Sequence, residues 1–337
     1  MPIQVTSTSP LPGVRLGVLV PVDGVPSGDP AARPIGRAAL LLAEEGVDLV
    51  FGATVRAGRM SGLWARPSGW TRAEDVQVAA IHDRFPSQGR AAAHAEVVAE
   101  LSGVPLANPP WLVELCRDKL VCQRTLERAG VPQPEVEGDA ARFAARLDAW
   151  GAGFLKPRYG SFGVGVRRVV AGDGLPAALP GNLQGALEPA VLQRAIRPPE
   201  GWAGISVRVN AQRRPEGGWC LNPGVARRSV NDPVVNAHRG AEVAPADDVL
   251  GHATLAELYQ RALEVAEALG ALPGGEWVVE LGVDLVVDRE GRAHVIEVNG
   301  RPQGRLGALA SRWGDRFGRA HLDAVARPLR YLAARVQ

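Results

Sequence analysis

Two carboxylates and a carboxamide stand at close spacing in the stretch ELGVDLVVDREGRAHVIEVN, which covers residues 280–299: Asp284, Glu297 and Asn299. Apolar runs flank Asp288-Arg289-Glu290-Gly291, so the pattern predicts a hairpin with strands over Trp277–Val287 and Ala293–Val298. Pairing Asp288 with Gly291 sets Asp284 opposite Val295 and Glu280 opposite Asn299. Period-2 alternation then puts Asp284, Glu297 and Asn299 on one face. Glu297 falls on the diagonal from Asp284, about 7–8 Å away between Cα atoms. Asp is disfavoured in strands, and its neighbours here are strongly apolar. Hard oxygen ligands gathered in this way suit Mg²⁺ together with bound phosphates.

A second constellation is FLKPRYGSFGVGV, residues 154–166. A strand delivers Lys156, a loop follows with Gly160, Ser161, Gly163 and Gly165, and another strand begins. Glycines let backbone N–H groups close around phosphate oxygens, and a lysine adds a compact positive charge. No GxxxxGK[ST] occurs in the chain, which excludes a Walker A loop. The glycines precede a strand rather than a helix, unlike a dinucleotide-binding turn. A third candidate is Asp118-Lys119, inside a segment that reads as one long helix over Pro109–Ala129.

The rest of the composition narrows the function classes. The chain has 337 residues, a formal charge of +2 and 46% apolar residues. That balance gives no strong field for nucleic acid or an anionic membrane. It supports folded cores in two or three subdomains. The three cysteines, Cys116, Cys122 and Cys220, form no CxxC and fit a reducing compartment. No apolar run reaches the ~20 residues needed to span a bilayer, and the polar N-terminus has no basic leader. A cytoplasmic location is the expectation. The six histidines make no HxxxH or HExxH, and no Ser/His/Asp or Cys/His set is evident. His294 belongs to the hairpin face opposite Glu297. Only two of the 38 basic residues are lysines, Lys119 and Lys156, and the two cation types are not interchangeable at a phosphate.

The elements that must position these groups follow from pattern. Strands are expected at Arg15–Val20, Val47–Phe51, Arg59–Ala65, Val76–Ile81 and Val104–Ala107. Helices are expected at Ile35–Glu45 and Gln88–Leu101. This alternation predicts an α/β (α+β) fold class with a parallel or mixed sheet in an N-terminal domain, residues 1–107. Further on, Asp139–Trp150 reads as a helix and Phe154–Arg158, Val166–Val170 and Ala190–Ile196 as strands. Ile205–Gln212 and Gly218–Leu221 read as a hairpin, and Leu250–Leu269 as a long helix. Val225–Ala246 is polar, rich in Asn, Arg and Gly, and reads as a long functional loop. Helical patterns close the chain at Leu306–Arg312 and Leu322–Val336. Trp64, Trp70 and Trp202 are candidates for lining a substrate pocket.

Taken in order, DK-x₆-LxxAGVPxP, the LKP strand with its GSFGVGV loop, VLQRAI and D-x₁₂-E-x-N resemble the ATP-grasp superfamily over roughly Pro109–Gln303. ELGVDLVVDREGRAHVIEVNGRPQ and the Asn236–Gly240 stretch are similar to its YheC/YheD (endospore-coat-associated) branch. VQVAAIHDRFP resembles that branch's N-terminal pre-ATP-grasp domain more weakly. The resemblance implies an ATP-grasp fold with a central subdomain over 108–196 and a C-terminal subdomain over 197–337. It implies ATP and one or two Mg²⁺ ions as cofactors. Lys119 and Lys156 would contact phosphates under the Gly160–Gly165 loop, with Lys156 also near the adenine. Gln193, Arg194 and Ile196 would edge the adenine. Asp284, Glu297 and Asn299 would hold metal. Arg208 would lie near the transferred phosphate, and the ribose contact stays open.

What the resemblance implies about activity is ATP-dependent joining of a carboxylate to an amine through an acyl phosphate, on an amino acid, peptide or other small carboxylate. Arg301 joins Arg208 as a catalytic candidate. Arg227, Arg228, Asn236, Arg239 and Arg305 are candidates for holding substrate through guanidinium forks and an amide. Two alternatives remain open: a nucleotide-binding structural or assembly protein without turnover, and an ATP-grasp phosphotransferase. The expected partners are small-molecule or peptide substrates, not nucleic acid or membrane. The oligomeric state stays open, a homodimer included.

Overall fold

The computed structural model describes residues 13–24, 26–85, 91–101, 103–160, 163–176, 189–235, 240–302 and 306–337. The chain divides into two units. The first comprises Met1–Ala107, Arg214–Gly217 and His321–Gln337, and the second Asn108–Arg213 and Gly218–Ala320.

The first unit is built on a mixed six-stranded sheet. Its strands are β1 (Val14–Leu19), β2 (Val47–Arg56), β3 (Arg59–Arg66), β4 (Gly69–Gln77), β5 (Ala80–Asp83) and β6 (Leu106–Ala107), in the order β4-β3-β2-β1-β5-β6. β1 runs parallel to β2 and β5, and β5 parallel to β6, while β3 and β4 add as antiparallel strands. Helices α1 (Pro34–Glu44) and α2 (Ala91–Ala99) supply the crossovers. Leu19, Val50, Met60 and Ile81 are completely buried, as apolar strands packed on both faces require. The strand expected at Val76–Ile81 is two strand ends, because β4 stops at Gln77 and β5 starts at Ala80. Trp70 stacks edge-on against Phe51, and Trp64 lies under the Arg66 guanidinium. Both tryptophans thus serve this sheet.

In the second unit the segment expected as one helix is two, α3 (Pro110–Arg117) and α4 (Lys119–Arg128). Asp118 between them is extended, with φ −84° and ψ 95°. Its carboxylate accepts from the N–H groups of Leu120 and Val121 and so caps α4. No proline or glycine marks this break; a capping aspartate makes it.

A four-stranded antiparallel sheet follows, from β7 (Val136–Glu137), β8 (Ala152–Pro157), β9 (Arg167–Val170) and β10 (Ala190–Arg194), ordered β7-β10-β8-β9. Helix α5 (Phe143–Trp150) covers it, burying Phe143 and Leu147 against Leu155, Val169 and Leu192.

The second unit's larger sheet contains β11 (Gly204–Arg213), β12 (Trp219–Leu221), β13 (Val225–Ser229), β14 (Glu242–Pro245), β15 (Glu280–Val287) and β16 (Ala293–Asn299). The order is β14-β13-β11-β15-β16, with β12 also on β11. Helix α6 (His252–Gly270) lays Leu255, Leu258, Ala262, Val265, Ala266 and Leu269 on it, an i, i+3, i+4 stripe. Each fully buried leucine of that stripe contributes about 1.5–3 kcal/mol. The segment 225–246, expected as a loop, contains strands β13 and β14. Its arginines disguise a buried strand, since Arg227 is 5% exposed and paired to a carboxylate on another strand. Helices α7 (Leu306–Arg312) and α8 (Gly314–Val336) end the chain, and α8 passes into the first unit at His321.

Candidate functional site

The β15–β16 hairpin turns at Asp288–Gly291, as expected. Asp288 fixes it by accepting from the N–H groups of Glu290 and Arg292 and pairing with His294. Beyond the turn the register departs from the expected one. Leu285 pairs with Val295, but Asp284 pairs with Glu297, so Ile296 is the extra residue of a bulge. Glu297 therefore lies directly opposite Asp284 rather than on its diagonal, and Asn299 faces Gly282 rather than Glu280. The base of the hairpin is tied by buried Asn108, in the left-handed region at φ 54°. Its amide oxygen accepts from Val279 and Glu280 N–H, and its nitrogen donates to the carbonyls of Glu280 and Gly300.

On β11, Arg208 pairs with Asp284, which completes a row of three charged residues across β11, β15 and β16. Arg208 forks onto the carboxylate: Nε donates to Oδ1 at 2.6 Å and a terminal nitrogen donates to Oδ2. Arg227 on β13 donates to Oδ1 at 2.6 Å. Burial alone would raise the Asp284 pKa. The Arg208 and Arg227 charges outweigh it and hold the carboxyl at about 2.

Across the cleft, the lysines are held differently. Lys119 opens α4, and its Nζ donates to the Gly160 carbonyl at 2.5 Å, with Glu297 at 3.9 Å. Lys156, near the end of β8, donates to Gln193 Oε1 at 2.6 Å. Gln193 donates in turn to Gln123 Oε1 at 3.3 Å, and Gln123 to the Pro134 carbonyl. Burial pushes the Lys156 ammonium down to about 8, against the pull of Glu297. Arg158 clamps the two lysine segments together, donating Nε to Asp118 Oδ1 at 2.8 Å and Nη2 to Oδ2 at 2.6 Å. Its carbonyl also accepts from Lys119 N–H. The glycine loop returns through Gly163 and Gly165, both at φ 71°, where a side chain is strained.

These groups line one open cleft, the kind of concave site in which ligands bind. Lys119, Lys156, Gly160, Gly163, Gln193, Arg194, Ile196, Arg227, Asp284 and Glu297 all line it. Phe154, Val286 and Ile296 supply an apolar wall that the motif reading missed; alternation on β8 and β15 was the available signal. Gln123, Arg158 and Ser206 were missed as well. The Ser206 hydroxyl and Arg227 Nε are buried in the cleft wall without protein partners.

Other expected site residues lie elsewhere. Arg208 sits behind Asp284, and Gly165, Asn299 and Arg301 are outside the cleft lining. Arg228 forks onto Glu242 at 2.9 Å and covers Trp202, so both brace the β13–β14 edge and leave the cleft. Ser161, Asn236, Arg239 and Arg305 fall outside the described residues.

The donor set can be tested against a divalent cation. Among the described residues no group of three or more His, Cys, Asp or Glu could hold a metal alone. Glu297, 29% exposed, faces the cleft, and Asp284 Oδ2 keeps a lone pair. The Asn299 amide buries an Nδ2 with no acceptor, and a flipped amide would put its oxygen there. Such sparse oxygen donors fit Mg²⁺, which is normally held by one or two carboxylates plus substrate phosphates.

Comparison with known proteins gives the fold a class. The model of the YheC/D-like ATP-grasp family matches residues 186–332, which include the charged row and the hairpin but not the lysines or the glycine loop. Structural similarity extends over nearly the whole chain. D-cycloserine synthetase DcsG aligns at 17% identity and TM-score 0.57, over 96% of this chain and 100% of that one. The VanG D-Ala:D-Ser ligase from Enterococcus faecalis aligns at 12% identity and TM-score 0.56, over 95% and 99%. The D-alanine–D-alanine ligase from Bacillus anthracis aligns at 16% identity and TM-score 0.56, over 95% and 99%. The chain has the ATP-grasp fold, and its segment 186–332 is similar to the YheC/D-like ATP-grasp family.

Proposed function

We propose that the cleft binds ATP and that the protein joins a carboxylate to an amine. One observation carries this reading: two lysines, a glycine loop and two facing carboxylates, brought from three separate segments, converge on one cleft. In the first step a carboxylate oxygen attacks the γ-phosphorus, the bond to the β-phosphate oxygen breaks, and ADP leaves. In the second an amine attacks the acyl carbon, phosphate leaves, and the amine loses a proton. Both steps demand positioning and charge neutralisation rather than a protein nucleophile.

The residues have matching tasks. Phe154, Val286 and Ile296 would pack the adenine, with Gln193–Ile196 along its edge. Lys119 and Lys156 would exchange their neutral oxygen partners for phosphate oxygens. Gly160, Gly163 and Gly165 would bring backbone against them. Glu297, with Asp284 and Asn299, would hold Mg²⁺; bound there, it supplies Lewis-acid neutralisation of the phosphates. Arg227, with a free buried Nε at the cleft wall, would meet the carboxylate or its acyl phosphate.

The test is incubation with MgATP and pooled amino acids, peptides and small carboxylates, followed by nucleotide and mass analysis. ADP with a new amide supports the ligase. ADP with a phosphorylated product instead identifies a phosphotransferase, and nucleotide binding without turnover an assembly role.

A further inference from the structure

We propose, on the basis of the ATP reading above, that Arg208 stands in for a second divalent cation, so that this chain binds its nucleotide with one metal ion rather than two. Asp284 is the residue that a second ion would need. An ionised carboxylate offers about four lone pairs. Oδ1 spends both of its own on Arg208 Nε and Arg227, and Oδ2 spends one on the other arm of the Arg208 fork. One lone pair remains, enough to complete a site centred on Glu297 but not to found another.

The fork is built in. The Arg208 and Arg227 side chains are 12% and 7% exposed, and that of Asp284 is 6% exposed. Opening such a buried pair leaves uncompensated charge in a poorly solvated place. Gly282, across the same strand pair, makes the room. A Cβ there would come within 2.9 Å of Pro302 Cβ, 3.1 Å of Arg208 Nη1 and 3.3 Å of Arg208 Cδ. A larger residue at 282 would therefore crowd both Pro302 and the Arg208 side chain.

The charge count agrees. Lys119, Lys156, Arg208 and Arg227 gather around Asp284 and Glu297, leaving an excess of two positive charges before any ligand arrives. Fully ionised ATP brings about four negative charges. Before any substrate carboxylate arrives, one divalent cation balances the nucleotide-loaded site, whereas a second would leave it two charges positive in a low-dielectric cleft, where unbalanced charge is costly.

The experiment counts Mn²⁺ by electron paramagnetic resonance, on the full chain saturated with a non-hydrolysable ATP analogue. One bound Mn²⁺ per nucleotide, without Mn–Mn coupling, is expected. Two coupled ions overturn the proposal while leaving the ATP site standing. Failure to bind the analogue overturns both readings. In a second arm, Arg208→Ala is checked for folding by circular dichroism and counted in the same way. It should admit a second Mn²⁺ at least tenfold more tightly than the wild type. A folded variant that still takes only one shows that Arg208 is not what excludes the other. The wild-type count decides the question even where the variant does not fold.

Discussion

The two walls of the cleft hold their cations in opposite ways. On the six-stranded sheet, Arg208 and Arg227 share the single Asp284 carboxylate and are buried with it, which leaves one net positive charge locked in place. On the lysine side, Lys156 rests on the Gln193 amide and Lys119 on the Gly160 carbonyl, with the Glu297 carboxylate only at the longer distance of 3.9 Å. Two guanidiniums fixed on one carboxylate offer a reduced field that cannot be repositioned toward a ligand without breaking the pair. An ammonium resting on an amide keeps its charge and gains by exchanging that oxygen for an anionic one. The first wall is a preassembled scaffold, and the second is poised for phosphate.

Asp284→Asn should separate the walls most sharply. It leaves two buried guanidiniums unpaired, so about 3–5 kcal/mol of stability should be lost as well as activity. Denaturant unfolding monitored by circular dichroism measures this. Glu297→Gln is the counterpart. Turnover should fall by about 100-fold or more, for want of metal charge, while the melting temperature stays near that of the wild type. Wild-type stability in Asp284→Asn would undo the contrast.

Lys156→Arg preserves charge but not the compact ammonium on Gln193, and nucleotide affinity should fall about tenfold or more. Isothermal titration calorimetry reads this directly. The pH dependence sharpens the same point. With Lys156 at about 8 in the free protein, affinity should be level below that pH. Above it, affinity should weaken by about tenfold per unit, because the bound form requires the proton. Proton uptake on binding near pH ~8.5, absent in Lys156→Gln, checks the assignment. The smallest expected effect is that of Gly163→Ala. A side chain at φ 71° costs about 1–2 kcal/mol, which would loosen the loop and weaken nucleotide binding several-fold.

Legibility in the sequence followed the same division. The hairpin turn and the strand carrying Lys156 were readable from alternation and turn residues. The bulge at Ile296 was not, since an extra valine- or isoleucine-like residue leaves the apolar pattern intact while shifting which carboxylates face each other. The break at Asp118 was hidden because an aspartate caps a helix as quietly as it decorates one. Strand β13 was hidden because the burial of Arg227 depends on a carboxylate 57 residues away. Local pattern therefore reveals the elements, whereas long-range ion pairs determine which polar residues are buried among them.

The most direct measurement is ATP-analogue binding by calorimetry for the wild type, the Lys119→Gln/Lys156→Gln double variant and Arg228→Gln, which alters only the β13–β14 edge. The wild type and Arg228→Gln should bind with closely similar affinity, and the double variant should bind at least about 100-fold more weakly, or about 2.7 kcal/mol. Equal affinity in all three, with folding intact, would contradict the assignment of the lysine wall to phosphate.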